Sequence, residues 1–170
     1  MKSKASFPVA LDPPEGPVVV IDESFVDQAV SASRKSPRGR IILPLHKDHK
    51  APLHRMLNVM QPGSYVQPHR HLYPPKAEAI LVLRGTICVA IFDDEGGVLS
   101  KMELSAQSSA FGVDIEPGVY HTFFALEPDT VLFEVKPGPY ERSSDKDFAP
   151  WAPKEGSGGE DRYLAGLAES

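Results

Sequence analysis

Two imidazoles stand two residues apart in Gln67-Pro68-His69-Arg70-His71, a carboxylate follows at Glu78, and a third imidazole stands at His121, in Pro117-Gly118-Val119-Tyr120-His121. Alternate residues of an extended strand point to one face, so His69 and His71 can reach a single point together. Three ring nitrogens and one carboxylate oxygen are a donor set for a first-row divalent cation. Glu78 and His121 can join the pair only if the chain folds back on itself, as an antiparallel barrel does. Each residue alone has a plainer reading, as an edge-strand or rim histidine or a solvated carboxylate. Glu78 weighs against it, because the residues that follow, Ala79 to Leu83, are all apolar. A carboxylate aimed into such surroundings is costly unless it is paired or bound to metal.

The elements that must position these residues are short. From Ile41 the chain is a series of apolar runs: 41–45, 53–60, 65–71, 78–83, 86–92, 98–104, 108–115, 119–126 and 130–136. The breaks between them are Gln61-Pro62-Gly63, Arg84-Gly85, Asp93-Asp94-Glu95-Gly96-Gly97, Glu116-Pro117-Gly118 and Glu127-Pro128-Asp129. Many short strands at regular spacing predict a sandwich or barrel, and Asp93–Gly97 predicts a hairpin. Before them, Val18–Ile21 reads as a first strand. Asp22 or Ser24 would then cap a short helix with Phe25, Val26, Ala29 and Val30 on its apolar face. The expected organisation is a Pro-rich arm and short helix over residues 1–37, a barrel over 38–140, and a tail over 141–170. Phe148, Trp151 and Pro153 would pin that tail to the barrel. Gly156-Ser157-Gly158-Gly159 reads as a flexible linker, and Tyr163 to Ala168 as a marginal helix or a disordered end.

The composition narrows the function. The 170 residues suffice for one domain with a core, and a formal charge of −5 gives no basic footprint for nucleic acid. No apolar run approaches the roughly 20 residues of a membrane helix. The basic start, Met1 to Ser6, lacks the apolar core of a signal peptide. The single cysteine, Cys88, excludes an internal disulfide and reads as a small hydrophobe in a buried strand. These features lead us to expect a cytoplasmic protein.

The spacing Gly63-x5-His69-x-His71-x6-Glu78-x6-Gly85 resembles the first cupin motif, and Pro117-Gly118-x2-His121 resembles the second. The loop between His71 and Glu78 is longer than cupins usually have. The resemblance implies an all-β fold, a double-stranded β-helix or jelly-roll barrel, with a short N-terminal helix and an irregular C-terminal tail. It also implies that His69, His71, Glu78 and His121 bind one divalent metal ion (iron, zinc, manganese or nickel). A closer resemblance is to the WbuC-type cupin-fold metalloproteins, often linked with polysaccharide gene clusters. It is carried by Leu45-His46, Arg55-Met56-Leu57-Asn58, Pro62 to His71, Phe133 to Tyr140 and Asp145 to Pro153, and it spans roughly residues 38–155. Cupins commonly pair through their sheet faces, which implies a homodimer.

Four protein ligands on such an ion leave a position open for a ligand. Two units of ion charge against one carboxylate favour a small anionic or polar substrate, such as a sugar derivative or organic acid. The expected function is a small metalloenzyme of dioxygenase, isomerase or lyase type. The alternatives are a metal-dependent binding module without turnover and a metal-free sugar epimerase. Gln67 shares strand parity with the histidine pair, Lys76 stands two residues before Glu78, and Tyr140 follows a turn, so these three are candidates to meet substrate. Lys76 reads equally as a solvated loop lysine, Tyr65 as a packing residue, and Arg70 as outward-facing. Glu134 reads either as a partner that orients a ligand histidine or as a solvent-facing residue. His46, His49 and His54 do not share a strand face, which argues against a second metal site.

Overall fold

The computed structural model describes residues 7–141 and 143–169; the basic segment Met1 to Ser6 lies outside the described residues. Two antiparallel five-stranded sheets pack face to face. The first has the order β1 (Arg40–Pro44), β2 (Leu53–Met60), β9 (Thr130–Pro137), β4 (Glu78–Arg84), β7 (Gly112–Ile115). The second has the order β10 (Asp147–Phe148), β3 (His69–Arg70), β8 (Tyr120–Ala125), β5 (Thr86–Phe92), β6 (Val98–Ser105). Helix α1 (Glu23–Lys35) precedes the sheets and α2 (Glu160–Glu169) follows them.

Strand alternation decides what lies between the sheets. Met60, Ile80, Val82 and Leu132 of the first sheet meet Ile87, Val89, Phe123 and Ala125 of the second in one apolar cluster. The same inward parity, followed toward the other end of the strands, places Glu78, Glu134 and Lys136 on the first sheet and His69 and His121 on the second. The interior is thus apolar at one end and charged at the other.

The outer faces are covered as well. Helix α1 starts at Asp22, whose carboxylate accepts from the Phe25 amide at 2.9 Å, a cap worth about 1 kcal/mol. It lays Val26, Ala29 and Val30 on Ile41, Leu57, Val59 and Val131. The second sheet turns Ala90, Phe92, Tyr120 and Phe124 toward the tail, where Ala149, Trp151, Leu164 and Leu167 close over them. Cys88 lies partly buried on that face. Among its described residues the tail is irregular between Gly138 and Gly159 except for β10, and its last turns form α2.

Gly85 carries the chain from one sheet to the other. It adopts φ +77°, and a side chain there would put Cβ 2.4 Å from Thr130 Oγ1, so glycine alone fits without strain. The predicted hairpin joins β5 to β6, with Asp93 Oδ1 accepting from the Glu95 amide at 3.1 Å and the Gly97 amide at 2.6 Å.

Three expectations need correction. Val18–Ile21 is not a strand, and Val18 is 82% and Val20 71% exposed. The free edge of β1 is taken instead by residues 9–11: Leu11 N donates to Ile42 O and Ile42 N to Val9 O, at 2.8 and 3.3 Å. Of the run 65–71, only His69–Arg70 pairs as a strand. Pro68 has no amide proton, its carbonyl goes to the Ala149 amide, and the Val66 carbonyl goes to the Thr122 hydroxyl. The run 108–115 is a strand only from Gly112, because Ser108 and Ala110 turn back on Ser105.

The tail is tied to the barrel by Glu155, which accepts from Arg38 Nε at 2.7 Å and from Arg40 Nη2 at 2.8 Å. Burial opposes the Glu155 charge, but the two arginines outweigh it and hold its pKa below the ordinary 4.5. A carboxylate held low stabilises fully above its ordinary pKa, and that contribution is lost as pH falls through the folded value. We expect Glu155→Gln to cost about 1 kcal/mol at neutral pH. Urea melts should show the two proteins converging as the solution is acidified below the ordinary carboxylate range.

Candidate metal centre

The four candidate ligands come from both sheets. His69 on β3 lies directly opposite His121 on β8, His71 follows two residues on, and Glu78 opens β4 on the facing sheet. All four are buried, at 0, 3, 2 and 1% exposure for His69, His71, Glu78 and His121. One donor atom from each lies within 4.8 Å of the others, and together these residues could hold a metal ion. Among the described residues they form the one group of this kind.

The backbone sets which nitrogen of each ring is available. Nδ1 of His69 faces the Gln67 carbonyl and Nδ1 of His121 the Val119 carbonyl, each at 2.9 Å, and Nδ1 of His71 faces the Asp145 carbonyl. A carbonyl only accepts, so each Nδ1 carries a proton and each ring turns its Nε2 inward. The Nε2 atoms of His69 and His121 are buried without any hydrogen-bond partner. Buried polar atoms of this kind are rare and call for an explanation. His71 Nε2 lies 2.8 Å from Glu78 Oε2. Its ring is therefore flanked by two acceptors, and either a second proton or a shared cation must lie between Nε2 and the carboxylate. A divalent ion accounts for all three nitrogens at once, so the residues fit the group.

The electrostatics agree. Burial, followed by the nearby Lys146, pushes His69 well below its ordinary pKa, and burial lowers His121 against the pull of Glu78. Both rings are neutral near neutrality, as metal ligation requires. Burial disfavours the Glu78 charge, but the His71 hydrogen bond and Lys136 overcome it and keep Glu78 ionised.

Around the ligands lies a network the sequence did not announce. Asp145 receives Lys76 Nζ at 3.0 Å on one oxygen and Lys136 Nζ at 3.2 Å on the other. Lys136 also lies 3.3 Å from Glu134, whose second oxygen accepts from Asn58. Glu134 thus neither orients a ligand histidine nor faces solvent. Lys76 is buried rather than solvated, and it also donates to the Pro139 carbonyl at 2.7 Å. Asp145 also positions His71 through its backbone carbonyl, in the manner of an outer partner to a metal ligand. Lys146 belongs to the same surroundings. The residue is half-buried, and desolvation of its ammonium and the charge of Lys136 lower its pKa to about 8. The signal in the sequence was slight: charged residues at inward parity in the apolar run 130–136, and the mixed charges of 145–147.

The other candidates are placed as follows. The backbone carbonyl of Gln67 supports His69. Tyr140 is 39% exposed and packs beside His49, the ring centroids 5.5 Å apart. Tyr65 belongs to the outer cluster and donates to the Pro153 carbonyl at 2.7 Å. Arg70 faces outward, with Asp147 at 2.7 Å and the Tyr120 ring centroid at 4.3 Å. His46 stacks on His54 at 4.0 Å and supplies no ligand to the centre.

With this geometry in place, comparison with known proteins speaks to the fold. Residues 21–104 match a family described as a domain of unknown function, DUF6016. No curated protein matches the sequence. Among solved structures, the chain is similar to the capsular polysaccharide assembling protein CapF from Staphylococcus aureus. The TM-score is 0.53 at 18% identity, over 63% of this chain and 31% of that one. CapF with the inhibitor 3-isopropenyl-tropolone gives 0.51 at 20% identity, over 63% and 30%. KdgF from Halomonas sp. gives 0.45 at 22% identity, over 60% and 82%. The chain thus spans about a third of the CapF chains it matches, and identities this low speak for the fold alone. That fold is the cupin barrel, and its buried His/Glu cluster fits a metal-binding cupin.

Because the Asp145 carboxylate accepts from two buried ammonium groups, we expect Asp145→Asn to cost about 3 kcal/mol in a urea melt. A loss below about 1 kcal/mol, as for an exposed pair, would show that water screens the cluster.

Proposed function

We propose that this chain is a divalent-metal-binding cupin in which His69, His71, Glu78 and His121 hold one ion, and that it is a small metalloenzyme acting on a small polar or anionic molecule. The observation that supports this most directly is the pair of buried, unpartnered Nε2 atoms on His69 and His121. A bound ion would supply Lewis acidity and, if redox-active, electron transfer. The chain's own residues do the rest. Three backbone carbonyls fix the tautomers, Glu78 offsets cationic charge, and the apolar end of the barrel keeps water from the ligands' far side.

A sugar derivative or organic acid as substrate, with a place in polysaccharide synthesis, rests on the resemblance to WbuC-type cupins, and a cytoplasmic homodimer rests on the cupin resemblance and the composition. The polysaccharide role in the CapF name is in keeping with it. No described helix is long and apolar enough to cross a membrane. A non-catalytic binding module is the second reading, supported by the grouping of His69, His71, Glu78 and His121 as one cluster that an ion would engage in full. The His71–Glu78 contact offers an acid–base pair to a metal-free epimerase. Such an enzyme also needs a tyrosine acid, and the Tyr65 hydroxyl is already donated to the Pro153 carbonyl.

Elemental analysis of protein purified without added metal should find close to one equivalent of a first-row divalent metal. His69→Ala/His121→Ala should lose it while keeping a cooperative thermal unfolding transition, since the apolar core lies at the other end of the barrel. No metal in the wild type, even after reloading, would overturn the proposal.

A further inference from the structure

The charged end of the barrel holds three lysines, and they are not used alike. Lys76 and Lys136 are each fixed by a carboxylate within 3.3 Å. Lys146 makes no hydrogen bond or ion pair among the described residues, although it enters the same interior. Its direction follows from strand register. β10 pairs with β3 so that Asp147 lies opposite Arg70 and Phe148 opposite His69. Opposed residues of an antiparallel pair share a face. Arg70 and Asp147 take the outer face, where they bond to each other. Phe148 takes the inner one, its ring 6.2 Å from that of His69. One residue before Asp147, Lys146 therefore shares the face of His69 and His71. It is close enough to His69 and His121 to act on the charge of both rings.

The charge count gives this ammonium a task. Glu78, Glu134 and Asp145 balance Lys76, Lys136 and Lys146 before any ion is counted. In formal charges, a divalent ion on the four ligands leaves the interior two positive charges in excess, and Lys146 is the one of the three lysines with no carboxylate partner among the described residues. We propose that Lys146 receives an anionic group of the ligand that binds at this centre, so that the preferred ligands are small oxygen-donor acids carrying a second carboxylate. The inference rests on the metal reading given above. It makes Lys146 a specificity-determining residue, supplied by the tail rather than by the barrel.

Tartronate and glycolate test it, because both present the same α-hydroxy-carboxylate and only tartronate carries a second carboxylate. Calorimetric titration of zinc-loaded wild type should show tartronate binding at least roughly tenfold tighter, the effect of one charge-assisted hydrogen bond. Lys146→Ala and Lys146→Gln should keep their zinc and lose that preference, whereas Lys146→Arg should retain most of it. A preference kept within about twofold in both neutral variants with zinc in place, or no preference in zinc-loaded wild type, would overturn this inference alone. Wild type that takes up no zinc would overturn the metal reading and this inference with it.

Discussion

Charge buried at one end of a small barrel must be balanced there, and that requirement organises this protein. Moving a carboxylate or ammonium out of water costs several kcal/mol unless partners replace the solvent. Asp145 meets two ammonium groups at once, Lys136 is shared by two carboxylates, and Asn58 completes Glu134. The network extends to His71 through the Asp145 carbonyl. Its pivot is in the tail, so the order of the ligand site depends on a segment outside the barrel strands.

The sheets explain why charge can gather there without weakening the core. Inward positions of β2, β4, β5, β8 and β9 are filled with Val, Ile, Leu, Phe and Met at one end, and the cluster they form does not include the ligand residues. Helix α1 and the tail with α2 bury the outer faces in two further clusters. Both sheets are therefore held by apolar packing on two sides, and the site is held by hydrogen bonds and ion pairs on a frame already fixed. Antiparallel pairing supplies the geometry: His69 meets His121 because β3 and β8 are neighbours, and Glu78 meets them because β4 starts on the facing sheet.

Much of this was legible in the chain. The four ligand types and their spacing pointed to one site, and the turn signals at Gly85, Asp93–Gly97 and Pro117-Gly118 marked where strands end. Asp22 announced the helix. What misled was local pattern without a partner. Val18–Ile21 has the composition of a strand, but residues 9–11 occupy the edge it would need. The run 65–71 alternates correctly, but Pro68 interrupts the ladder. Lys76 looked solvated because Asp145, its partner, is 69 residues away in sequence.

The sequence by itself determined the candidate donor atoms and the inward parity of His69 and His71, because residue type and the two-residue period of a strand are local properties. Only the tertiary structure decided that the Asp145 carbonyl faces His71, that Asp145 unites two lysines and a histidine, and that Lys146 enters the face of the histidines with no ion-pair partner among the described residues. Those facts depend on which strands become neighbours and where the tail returns. Asp145 stands 74 residues from His71 and 69 from Lys76, so no periodicity within a short window could reveal those contacts.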